Sequence, residues 1–214
     1  MFPMSTAATP KGLRRRARLV EAAAELLMAG GVDAVRHRAV ADQAGLPLAS
    51  TTYYFGSLDD LLAAAVSHVS AADAASISDR CDALSRRRRG AEATADALAE
   101  VFVGSDTTQA QLATRYELVV LAARYAGLRE AIRERQGLLS ALHVDALVKS
   151  GRCGDITHVA QLMAVEDGAV VGALAQGDRE AVTAARDALV EVVDVLAPLS
   201  ADAEFPAPLH WSGA

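Results

Sequence analysis

The stretch AGLPLASTTYYFGSLDDLL, Ala44–Leu62, decides how this chain folds. The whole chain is only 4% aromatic, yet Tyr53, Tyr54 and Phe55 stand side by side here. Pro47 suits the first turn of a helix, and Leu48 to Phe55 then supplies only about two turns before Gly56 stops it. Such a segment is too short to be a core helix. Ser57-Leu58-Asp59-Asp60 follows, a capping box with an acid in place of the usual Glu. Leu58, Leu61, Leu62 and Val66 then open a longer helix.

Upstream, Gly45 breaks a short helix expected over Arg36 to Ala44, with Val40, Ala41 and Ala44 on one side. Before it, Leu19, Ala22, Ala23, Leu26 and Leu27 recur at helical spacing between Lys11 and Ala29, and Gly30-Gly31 ends that run. Thr9-Pro10 marks its start. Downstream, helices are expected over Ala91–Val103, Thr107–Tyr125, Leu128–Lys149, Asp155–Gln176 and from Asp178 to a stop at Pro198. Glycine-containing breaks separate them. No strand-like alternation persists, and no repeat is visible. The chain reads as all-α with about nine helices. Its expected parts are a flexible tail (1–10), a three-helix head (11–56), a helical body (57–198) and a C-terminal tail (199–214). That last tail is either loose or packed back through Phe205 and Trp211.

At 214 residues and 52% apolar, the chain is long enough for a substantial core, built mainly from Ala, Val and Leu. No uninterrupted apolar run approaches the roughly 18 residues of a membrane span, and the first residues lack the apolar stretch of a secretion signal. A cytoplasmic location without membrane contact is expected. Cys81 and Cys153 show no CxxC spacing and read as ordinary thiols of a reducing compartment. The formal net charge of −6 argues against a general nucleic-acid binder. Its distribution says more: residues 1–60 carry seven Lys/Arg against six Asp/Glu, and the rest carry fourteen against twenty-one. A mildly basic head on an acidic body is compatible with a small DNA-binding module. The early positive charge sits in KGLRRRAR (Lys11–Arg18) and at Arg36 and Arg38, whereas Arg86–Arg89 reads as a solvated loop.

Two short helices joined by a Gly-containing turn match the helix-turn-helix unit, whose second helix enters the major groove. One side of such a helix must hold it to its neighbours while the other meets base edges and phosphates. Small hydroxylic residues such as Ser50, Thr51 and Thr52 hydrogen-bond to bases of either type, and a Tyr hydroxyl can anchor a phosphate. Taken alone, STTYYF also fits a surface helix with its aromatics on the core; the flanking helices and the cap favour the helix-turn-helix.

Three segments, RLVEAAAELLMAGGVDAV (Arg18–Val35), AVADQAG (Ala39–Gly45) and STTYYFGSLDDLL (Ser50–Leu62), come in an order and spacing that resembles the DNA-binding domain of the tetracycline-repressor (TetR) family. The resemblance implies that Leu48, Ala49, Ser50, Thr52 and Tyr53 face DNA, that Leu46, Thr51 and Phe55 face inward, and that Tyr54 approaches a phosphate. Arg36 and His37 stand where the second helix of the family usually opens with Thr and an apolar residue. Arg36 and Arg38 are the substitutes for phosphate contact there, and Arg18 is a further phosphate candidate.

The body matches that family in architecture only. Ala164, Gly168 and Gly172, four apart, let helix backbones approach closely, either within one subunit or across a dimer seam. With the apolar stripe Val182, Ala185, Leu189, Val192 and Leu196 on the last helix, a homodimer is the better reading. An effector pocket is expected from Tyr116, Val120, His143, Leu147, Met163 and Asp167, polar groups amid apolar ones, for a lipophilic small molecule. The five histidines show no metal-type pairing, no nucleophile, P-loop or dinucleotide motif occurs, and no cofactor is implied. The sequence therefore points to a homodimeric, ligand-responsive regulator, a repressor released from a palindromic operator. A helical protein-interaction adaptor and a helical enzyme are the alternatives.

Overall fold

The computed structural model describes residues 9–201. Among them are nine α-helices and no strand: α1 (Pro10–Ala34), α2 (His37–Ala44), α3 (Leu48–Tyr54), α4 (Leu58–Ala83), α5 (Ala91–Phe102), α6 (Gln109–Leu121), α7 (Arg129–Lys149), α8 (Ile156–Gln176) and α9 (Ala181–Leu196). The expected first eight residues, and Phe205, His210 and Trp211 of the expected C-terminal tail, lie outside the described residues. Thr9 and Pro10, assigned from sequence to that first tail, instead start α1: the Thr9 hydroxyl accepts from the Gly12 N–H at 3.1 Å.

The chain divides into two compact units. The first holds the described residues up to Ala74 together with Ala110–Gln136. The second holds Ala75–Gln109 and the residues from Gly137 onward. The head therefore reaches past Gly56, where sequence drew its edge. The cause is the first half of α4: Leu61, Leu62, Ala65 and Val66 are buried in one cluster with Leu19, Leu27, Val40 and Phe55. By length and composition α4 is apolar enough to cross a membrane, but this burial makes its first half a core helix.

In the first unit, α1 is bent at its glycine pair, where Gly31 takes φ 67°. The helix that sequence ended there resumes for one short turn to Ala34. Gly45 closes α2 in the left-handed region, with φ 61° and ψ 39°. The Leu46 N–H then reaches back to the Ala41 carbonyl at 2.9 Å, which completes the cap and fixes the turn into α3. Ser57 caps α4 through the Asp60 N–H at 3.1 Å, as the capping signal predicts. Asp73 on α4 is held between Arg115 of α6 (2.5 Å) and Arg135 of α7 (2.6 Å). Burial alone would raise the Asp73 pKa, but the two guanidiniums outweigh it and hold the carboxyl below the ordinary range.

In the second unit, α9 packs on α5 and α8 around Leu98, Phe102, Leu162, Leu189 and Val193. Arg152 is fully buried at the end of the α7–α8 link. It donates to Thr94 Oγ1 at 2.7 Å, to Asp194 Oδ1 at 2.8 Å and to the Ala197 carbonyl at 2.8 Å, tying the start of α5 to the last turn of α9. Arg89 is buried too, donating to the Ser85 carbonyl at 2.9 Å. The run Arg86–Arg89 is thus a solvated loop only up to Arg88. Pro198 and Ser200 are pinned as well, through the Cys153 N–H and the Gly151 carbonyl, both at 2.9 Å.

Candidate functional site

The third helix is seven residues long and sided. Thr51 is fully buried, its hydroxyl donating to the Leu48 carbonyl at 2.8 Å, and Phe55 is buried one turn later. Phe55 seats α3 in the core of the first unit, a burial worth about 1.5–3 kcal/mol. Leu46 is half-buried against the same core. The opposite side carries Leu48 (50% exposed), Ala49, Thr52 and Tyr53 (57% exposed). Ser50 and Tyr54 lie at the edge, half-buried, and the Tyr53 and Tyr54 rings meet edge-on at 4.9 Å. No charged residue lies on α3 itself.

The three arginines expected at phosphates divide. Arg18 is exposed along its stem, but its Nη2 donates to the Ala44 carbonyl at 2.5 Å, closing the end of α2. Arg36 folds back on its own turn, donating to the Val35 carbonyl at 3.1 Å and to Asp33 Oδ1 at 3.1 Å. Both guanidiniums are engaged by the chain, because each has carbonyls at a helix end within reach. Arg38 is exposed and makes no hydrogen bond or ion pair among the described residues. Beside α3 opens a cleft of about 490 Å³ whose other wall is the start of α1; Lys11 and Arg15 line it opposite Ser50, Tyr53 and Tyr54. Sequence singled out the end of the basic stretch, whereas the structure brings its beginning to the cleft. The spacing of Lys11 and Arg15, four apart, was the available signal.

The six residues expected to form an effector pocket fall in different units: Tyr116 and Val120 in the first, His143, Leu147, Met163 and Asp167 in the second. Val120 is 66% exposed. In the second unit His143, Leu147 and Met163 are buried, but Asp167 faces outward. The buried acid is its neighbour Glu166, which belongs to the inward stripe Val159, Leu162, Met163, Glu166 and Val170 of α8. One residue of helix is about 100° of rotation, so the choice of Asp167 pointed to the wrong side. Extending the apolar period through Glu166 would have found it.

His143 and Glu166 form a proton-holding pair. His143 Nδ1 lies 2.8 Å from the Leu139 carbonyl, which can only accept, so Nδ1 carries its hydrogen. Nε2 lies 2.9 Å from Glu166 Oε2, a contact that requires one proton between them. The Phe102 ring stacks on the imidazole at 3.4 Å. Glu166 Oε1 is buried with no hydrogen-bond partner among the described residues. Cys81 is buried nearby in the same cluster, and burial above all pushes its thiol up to about 11, so it stays protonated at neutral pH. Cys153 is free and exposed. Among the described residues no group of three metal-ligating side chains occurs.

The residues expected at a dimer seam also divide. On α8, Ala164 and Gly168 are exposed and Gly172 is half-buried, and a Cβ at either glycine would meet open space. On α9, Val182, Val192 and Leu196 are half-buried, but Ala185 and Leu189 are fully buried in their own subunit. Those two are unavailable to a partner, since α9 is apolar on two sides and they lie on the inner one.

Two family models match. The description "Bacterial regulatory proteins, tetR family" covers residues 19–65, from within α1 to the first turns of α4, and "Tetracyclin repressor-like, C-terminal domain" covers 89–195. No curated protein matches the chain. Among solved structures, the multidrug binding protein EbrR complexed with proflavin is 28% identical over 83% of this chain and 99% of its own, with a TM-score of 0.67. A TetR-family member from Streptomyces coelicolor A3 is 30% identical over 83% of this chain and 97% of its own, at 0.62. A transcriptional regulator from Rhodococcus sp. Rha1, 21% identical over 86% of this chain and 98% of its own at 0.66, shares the fold. With its sided third helix inside a helix-turn-helix head and a helical C-terminal domain later in the sequence, this chain belongs to the tetracycline-repressor family of transcriptional regulators.

Proposed function

We propose that the protein is a homodimeric, cytoplasmic repressor that leaves a palindromic operator when a small molecule binds its body. The observation that carries this reading is the sidedness of α3: Thr51 and Phe55 seat it, while Leu48, Ala49, Thr52 and Tyr53 are left outward with Ser50 and Tyr54 at the edge. In this reading the small outward residues meet base edges and a thymine methyl, and the Tyr hydroxyls hold phosphates. Arg38 is retained as a phosphate contact and Arg18 and Arg36 are not. The seam is formed by Ala164, Gly168, Val171 and Gly172 of α8 with Val182, Val192, Val195 and Leu196 of α9. Val195, 76% exposed, supports that face.

The effector is a lipophilic aromatic compound. The EbrR structures, described as complexes with proflavin, ethidium and malachite green, support that class. The compound must bind the DNA-incompetent state better, each factor of ten in preference supplying about 1.4 kcal/mol.

Selection of bound duplexes from random oligonucleotides tests the whole. The expected result is two inverted half-sites, one helical turn or a multiple apart, bound in a steeply salt-dependent complex. No complex even at low salt, or a selected site without inverted symmetry, overturns it.

A further inference from the structure

Positive charge that no described residue neutralises collects at the start of α1. Lys11 and Arg15 lie one helical turn apart, and neither makes a hydrogen bond or ion pair among the described residues. Both border the cleft of about 490 Å³ whose far wall is Ser50, Tyr53 and Tyr54 of α3. The first turn of α1 carries no acidic residue, so beyond the Thr9 cap no charged side chain of that turn offsets the positive end of the helix. Two cations that no described residue pairs, a helix start without an acidic first turn and a wall of hydroxyl-bearing residues thus converge on one concave site. The neighbouring arginines are occupied: Arg18 by the Ala44 carbonyl, Arg36 by Asp33 and the Val35 carbonyl, and Arg16 by the Phe55 ring at 5.1 Å.

We infer that this cleft is a phosphodiester-binding site, in which the backbone of one DNA strand runs between the start of α1 and α3, its phosphate charge met by Lys11 and Arg15. The inference rests on the DNA-binding reading above and adds a backbone grip from α1 to the contact given to Arg38 at the start of α2. Tyr53 and Tyr54 close the opposite side, so α3 is pressed into the groove by a contact on its own flank. Neither cation is placed to read a base, and sequence preference stays with α3.

The test uses the full-length protein and its selected operator. Two phosphate contacts predict that the Lys11→Gln/Arg15→Gln double variant flattens the slope of log affinity against log salt by about 1.8, with the preferred sequence unchanged. The thermal midpoint should match the parent, since both side chains are solvent-exposed. Methylphosphonate substitution, one phosphate at a time, supplies the second readout. At least one neutralised position should weaken the parent and leave the double variant unaffected. A parent that binds steeply with salt, beside a double variant of unchanged slope and unchanged methylphosphonate sensitivity, overturns the cleft and leaves the DNA-binding reading intact. A parent that binds no duplex overturns that reading itself.

Discussion

Lys11 and Arg15 in the first unit make no hydrogen bond or ion pair among the described residues and stand at the rim of a cleft, whereas Arg152 in the second is fully buried and donates to three acceptors at 2.8 Å or less. The same contrast runs through the hydroxyls. Thr52 is exposed on α3, while Thr94 is buried and accepts from Arg152. A buried guanidinium must be satisfied within the fold, because its desolvation is compensated only by good geometry and filled hydrogen bonds. An exposed one incurs no such cost and stays available to a ligand. The Asp73 pair of arginines shows that the first unit uses the buried mode too, on the side of α4 that meets α6 and α7. Position in the fold, more than residue type, decides whether a charge builds structure or awaits a partner.

Removing Arg152 should break the contrast most severely. Arg152→Ala leaves Thr94, Asp194 and the Ala197 carbonyl without their shared donor, and a loss of about 3–5 kcal/mol is expected in urea unfolding. A loss below about 1 kcal/mol would mean that water replaces it without cost. Tyr53→Ala should act in the opposite manner, lowering operator affinity by about 1.5–3 kcal/mol, roughly ten- to hundredfold, while the thermal midpoint stays near the parent's. A collapse in stability instead would make Tyr53 a core residue. Arg18→Ala sharpens the comparison, since its guanidinium closes α2. About 1 kcal/mol of stability should go with it, and the salt dependence of DNA binding should not move.

The smallest effect is expected on the acid side. The folded-state pKa of Asp73 lies below its unfolded value, so the stability it contributes is present above about pH 4 and is lost as pH falls through the folded value. Asp73→Asn should therefore flatten the acid limb of a stability–pH curve, and an unchanged limb would remove the Arg115–Asp73–Arg135 bridge from the account.

Most helix boundaries were legible because glycine, proline and capping residues wrote them locally. Gly45 adopts the left-handed conformation its place implies, and Asp155 caps α8 through the Thr157 and His158 N–H groups. The sidedness of α3 was legible only through the family resemblance, which put Thr51 and Phe55 inward, since residue type alone had counted the Thr51 hydroxyl among those that meet bases. What the local sequence did not state depended on reach or on rotation. Arg18 and Arg36 have stems long enough to turn back to carbonyls, and no local pattern states which acceptor they take. Asp167 and Glu166 differ by one residue, so only the phase of the whole stripe separates them. Ala185 and Leu189 were misplaced because α9 has apolar residues on two sides, and periodicity alone does not say which side meets the subunit's own core.

The closed hydrogen bond of Thr51 has a wider consequence. Because its hydroxyl is satisfied by the carbonyl one turn earlier in the same helix, the buried Thr51 needs no acceptor from the exposed side of α3, where Leu48, Ala49 and Thr52 stand. Those three positions can be exchanged for other residues at little cost in stability, so under the proposed reading the choice of target sequence is open to change while the architecture is inherited unaltered.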